Sequence, residues 1–180
     1  MTLTSIEHLV YDCILTYIME WCVNSLIKSE FPLHETQNLR YDLMQTLTDS
    51  DLAYKLPSDN PTLGELCRQI GEVEYNYIQS FKTFKHDWSY RTTEPELATS
   101  VARLQAWYTT LDNEFETVMR GFSEDDLHHK QIDRGHGFTP SPYVQFQIYR
   151  EALLMFYAKA SVYLKVLQKS VNDQWQAGIG

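Results

Sequence analysis

The sequence predicts an all-α protein, an antiparallel four-helix bundle with an additional N-terminal helix or helix extension. Three observations predict it. Apolar residues recur at spacings of three and four along every long segment. Capping residues stand directly before those segments. The 7 Gly and 6 Pro gather between them, with no convincing strand and no internal repeat. A chain of 180 residues fits one domain, large enough to bury roughly two-thirds of its unfolded surface. Residues 1–171 are assigned to that domain, and the tail 172–180 is expected to fray.

Thr4-Ser5-Ile6-Glu7 reads as a capping box opening a first helix that should last to about Ser29, where Phe31-Pro32 stops it. Leu9, Val10, Cys13, Ile14, Tyr17, Ile18 and Trp21 form its apolar stripe. A second helix covers about Glu35 to Leu47, and Thr48-Asp49-Ser50-Asp51-Leu52 reads as a capped single turn. Thr62, with Glu65 as reciprocal partner, caps a third helix that ends near Lys85. Leu63, Leu66, Ile70, Val73, Tyr77 and Phe81 form its inner face. Thr93-Glu94-Pro95-Glu96 opens a helix to Arg120, closed by Gly121, and Ser123 caps a short turn through Leu127. Residues 128–140 read as a loop. Ser141-Pro142 then starts a last helix to about Lys169, with Val144, Ile148, Leu153, Leu154, Tyr157 and Leu164 inward.

Composition excludes several functions. A net charge of −9 with no basic run argues against nucleic acid and against an anionic membrane surface. The N-terminal apolar stretch carries Asp12, Glu20 and Asn24, so it suits a core helix better than a membrane span, and it has no basic n-region of a signal peptide. Cys13, Cys22 and Cys67 form no CxxC pair and sit in apolar settings, which predicts buried free thiols and a cytoplasmic location. No G-x-S-x-G, Walker loop, G-x-G-x-x-G or H-E-x-x-H is present.

The segment Thr62-Leu63-Gly64-Glu65-Leu66, continued by Ile70 and Val73-Glu74, resembles the first half of the DinB-like family. The helix from Thr93 to Arg120 with Gly121-Phe122-Ser123-Glu124-Asp125-Asp126-Leu127 is similar to that family's third helix and following turn. The resemblance spans about residues 34 to 168. It implies a bundle whose relatives bind a divalent metal through one histidine on the second bundle helix and an HxxxH pair on the fourth, among them thiol-dependent transferases and metal-dependent hydrolases. Histidines at i and i+4 share a helix face, so two facing helices can supply three ligands and leave a position open. Here the first position falls on Gln69, and the pair on Arg150 and Leu154, or on Glu151 and Met155 in the adjacent register. No imidazole is supplied, and Gln, Leu and Met are poor ligands for Zn or Ni.

The resemblance therefore implies a relative without its metal-ligand histidines, with no cofactor and a non-catalytic role favoured. Gln69, Glu74, Tyr149, Arg150 and Glu151 are the expected ligand-binding residues, with Arg150 as the fork for a small anionic molecule. A structural salt bridge in the same place is the default reading against which that pocket is weighed. Tyr75, Tyr77 and Tyr157 are further hydroxyl donors for such a pocket, or core filling. His129, Asp133 and His136 would share a face if helical, which keeps open a second metal reading, although Gly135 and Gly137 oppose a helix there. His8, His34 and His86 read as isolated surface histidines, and the pairs Glu72/Glu74 and Asp125/Asp126 as solvated faces. The expected partners are a small molecule or a protein, with a homodimer through the aromatic-rich helices. A divergent transferase or metal-dependent hydrolase is the alternative function.

Overall fold

The structure is a computed structural model, and it describes residues 23–31 and 34–179. The capping box at Thr4 and most of the first predicted helix lie outside those residues. So do Cys13, Cys22 and His8. Within them the protein is all-helical, without a β-strand.

Asn24 is extended and its side chain accepts the Ile27 amide, so a short helix α1 (Ser25–Glu30) starts afresh there. Of the single helix expected to run through to Ser29, the described residues show Ser25–Glu30, which begins after its own N-cap at Asn24. The same Asn24 amide donates to the carbonyls of Met119 and Phe122, which ties this helix start to the far end of another helix. Helices α2 (His34–Thr46) and α3 (Asp49–Leu52) follow as expected. Helix α4 (Leu63–Thr83) begins at the Thr62–Glu65 capping box and ends at Phe84 in left-handed conformation.

The Thr93 box does not open one continuous helix. A 3-10 turn (Pro95–Thr99) comes first, extended Ser100 breaks it, and α5 (Val101–Arg120) begins after the break. Gly121 ends α5 at φ −74°, so it is not the left-handed cap the sequence suggested. Ser123 caps α6 (Glu124–His129), two residues longer than expected, and Ser141-Pro142 starts α7 (Pro142–Val166). Where fraying was expected, Asn172 caps α8 (Asp173–Gly178). Trp175 of that helix is buried, packs on Tyr157 and donates to the Leu39 carbonyl, which fastens it to α2.

The bundle consists of α2, α4, α5 and α7. Helix α4 packs between α5 and α7, and α2 closes the other side against the same two. Contacts from Glu74 to Tyr149 and from Ser80 to Gln145, through Gln145, make α4 and α7 antiparallel. Arg40 meets Asp112 while Asp49 caps Val101, so the α2 end of the chain runs against α5. The long connection 84–100 carries the chain back, so α4 and α5 run the same way, with Cys67 beside Tyr108 and Lys82 beside Glu114. Gly64 allows the closest approach: a Cβ there would stand 1.8 Å from the Ala98 carbonyl oxygen.

The core holds Leu43, Leu63, Ile70, Phe81, Leu104, Phe115, Phe146 and Leu153. At the roughly 25 cal/mol per Å² of buried apolar surface, such side chains contribute most of the favourable folding energy. Two residues expected inside, Val144 and Leu154, are exposed. A helix turn advances 100° per residue, and the inward series on α7 is Tyr149, Leu153, Tyr157, Ala160 and Leu164. Among the described residues, no helix is long and apolar enough to cross a membrane.

Candidate functional site

Each bundle helix sends polar groups to one place in the interior. Arg40 of α2, 2% exposed, donates to the carboxylates of Glu74 on α4 and Asp112 on α5. Its guanidinium lies over the Tyr108 ring, 4.4 Å from the centroid. Tyr149 of α7 donates to the other Glu74 oxygen at 3.0 Å. The Tyr157 hydroxyl lies buried in the same neighbourhood without a hydrogen-bond partner among the described residues. Tyr108 donates to the Cys67 carbonyl at 2.5 Å.

The electrostatics follow from burial. Burial pushes the Glu74 carboxyl up to about 7, opposed by Arg40 and reinforced by Asp112. Arg40 stays charged: burial opposes its charge, but the facing Glu74 and Asp112 carboxylates hold its proton more tightly than usual. Burial holds the Tyr149 and Tyr157 hydroxyls protonated and pushes the Cys67 thiol up to about 12, which leaves that thiol unreactive. A carboxyl poised near neutrality is what a general base needs. Glu74, however, is 0% exposed with both oxygens engaged, so no substrate proton reaches it.

The structure brings together only part of the set expected from sequence. Glu74 and Tyr149 meet. Arg150, one position round the helix from Tyr149, instead pairs with Glu30 of α1 at 2.9 Å. Glu151 faces solvent. Gln69 is half-buried and precedes Glu74 by five residues, about 140° round the helix, so the two do not share a face. Both expected registers for the HxxxH pair were therefore off the inward face, which carries Tyr149 and Leu153. Arg40 is the interior guanidinium that sequence reasoning missed. It sits in a second helix of weak amphipathicity, and only its i+3 and i+4 spacing from buried Leu43 and Met44 marks it as inward. Glu72 and Glu74, expected on solvated faces, are both buried. Glu72 accepts the Thr92 amide at 3.1 Å and faces Arg68 at 3.5 Å.

A divalent metal does not fit these residues. Arg40 already engages both Glu74 and Asp112, and a second cation beside a buried guanidinium is repelled by it. Among the described residues, no three His, Cys, Asp or Glu side chains converge as ligands. The His129/Asp133/His136 set is not on one helix face, because α6 ends at His129 and His136, Gly135 and Gly137 all adopt positive φ. His129 instead pairs with Asp125 at 2.8 Å, and Asp133 accepts the Gly135 amide.

A second polar cluster lies where the connection after α4 meets the loop before α7. The two are joined through the Lys85–Asp133 bridge and the His86 amide to the Asp133 carbonyl. Arg134 donates to the Gln145 side-chain oxygen at 2.7 Å, which fixes that amide's orientation. The Gln145 nitrogen then donates to Ser80 and to His86 Nδ1. His86 must carry its proton on Nε2, and that atom is buried without a partner among the described residues. Burial and the nearby Arg134 charge lower the His86 pKa to about 4, so the ring is neutral at pH 7. This histidine, expected on the surface, is 7% exposed and lies against the Trp88 and Tyr77 rings. Arg134 spans the same two rings at 5.5 and 5.6 Å.

No family model matches this sequence, and a search of curated proteins returns no match. Solved structures do match. The crystal structure of a DinB-like protein, YjoA, from Bacillus subtilis superimposes with a TM-score of 0.63 at 15% identity, over 83% of this chain and 98% of that one. The fold is DinB-like. This likeness gives the DinB-like bundle its four helices and leaves the chemistry of the interior to the residues described above.

Proposed function

We propose that this chain is a non-metal, non-catalytic DinB-like protein that binds a small anionic molecule, through Arg134 rather than Arg150. One observation carries the reading. Arg40, Arg68, Arg91, Arg103, Arg120 and Arg150 each face a carboxylate, whereas Arg134 has only neutral hydrogen-bond partners among the described residues. A half-buried guanidinium hydrogen-bonded only to neutral groups is under-compensated, and an anion would offset it. The neighbouring His86 Nε2–H is a second unspent donor. Trp88, Tyr77 and the neutral imidazole are the aromatic neighbours of these donors.

The test is a thermal melt with inorganic phosphate and, separately, benzoate. At a hundredfold excess over Kd the expected rise is about 5–10 °C. The rise should vanish in Arg134→Gln, persist in weakened form in Arg134→Lys and survive Arg150→Leu. A rise that Arg134→Gln leaves intact would refute the site, and loss in Arg150→Leu would move it to the position expected from the sequence.

A further inference from the structure

Helix α7 is apolar on its inner face, but a second stripe on its outer face is not covered by any described element. Met155 is 61% exposed, and Val144, Val162 and Val166 are each more than two-fifths exposed. With half-buried Ile148 and exposed Glu151 and Lys159, these residues fall within about 80° of the helix circumference. Exposed apolar rows of this kind mark contact surfaces more often than free ones.

The stripe is self-complementary about Met155. Val144 and Val166 lie eleven residues on either side of it, Ile148 and Val162 seven, and Glu151 and Lys159 four. The geometry points to a second copy of this chain as the occupant, with the two α7 helices packed antiparallel across a two-fold axis at Met155. In that arrangement Val144 of each copy faces Val166 of the other, Ile148 faces Val162, and Glu151 faces Lys159 twice. A parallel pairing would oppose Glu151 to Glu151 and Lys159 to Lys159, so charge selects the antiparallel one. Neither Glu151 nor Lys159 has an ion-pair partner among the described residues, so both are available. The surface is one helix wide, less than a standard interface, which makes a weak and concentration-dependent dimer the expectation.

Sedimentation velocity of the full chain over a concentration series tests this. A monomer–dimer equilibrium is expected, abolished by Met155→Glu without a fall in melting temperature. Glu151→Lys or Lys159→Glu alone should weaken dimerisation about tenfold, because each replaces two attractive contacts by repulsive ones. The double variant should restore it. Met155→Cys, with Cys13→Ser and Cys22→Ser, should cross-link to itself on oxidation, since Met155 meets its own copy at the axis. A monomer at every concentration would overturn the inference. So would a dimer indifferent to Met155→Glu, or a double charge swap that rescues nothing.

Discussion

At the scale of single residues, Arg40 and Glu74 are unequal partners. Removing Arg40 leaves Glu74 and Asp112 facing each other with no cation, whereas removing the Glu74 charge leaves Arg40 still paired with Asp112. Arg40→Met should therefore cost about 3–5 kcal/mol, and Glu74→Gln only about 1–3 kcal/mol, both read from urea midpoints with unchanged slope. Equal losses would mean that Asp112 does not hold the guanidinium. His86 gives a second prediction. Its folded pKa of about 4 lies below the ordinary 6.5, so between those values the unfolded chain binds more protons than the native one. Stability contributed by the neutral ring is complete above pH 6.5 and is lost as pH falls toward 4. The melting temperature of the wild type relative to His86→Asn should drop between pH 7 and pH 5. A His86 ring resonance that titrates near 6.5 would contradict this.

Among the elements, the legible parts were those written locally. Thr62–Glu65, Ser123–Asp126 and Ser141-Pro142 each place a helix start within the sequence itself, and each stands where expected. The helix starts after Asn24 and Ser100 were harder to read, because distant contacts set them. Asn24 spends its amide on Met119 and Phe122, nearly a hundred residues away. Ser100 turns the chain so that Asp49 can accept the Val101 amide. The interior site was half legible for a related reason. Glu74 and Tyr149 were named, but whether a polar residue on α7 faces in or out depends on a one-residue register that only packing decides. Gly64 makes the same point as a prediction. Helix propensity alone favours Gly64→Ala by about 1 kcal/mol. The Cβ would instead strike the Ala98 backbone, so a net loss of about 1–3 kcal/mol is expected in urea unfolding. A stabilised variant would show that the 3-10 turn yields freely.

For the molecule as a whole, a DinB-like fold encloses a polar interior built on Arg40. Four helices converge on a buried guanidinium that α2 brings to the interior. Tyrosines and carboxylates close around that guanidinium, and a separate cluster at Arg134 retains the unspent positive charge. The most direct test is metal analysis of the full chain, purified without a histidine tag and exposed to Zn and Ni before dialysis. Far less than one metal ion per chain is predicted, with no change on Glu74→Gln. A stoichiometric metal that Glu74→Gln removes would contradict the proposed non-metal reading.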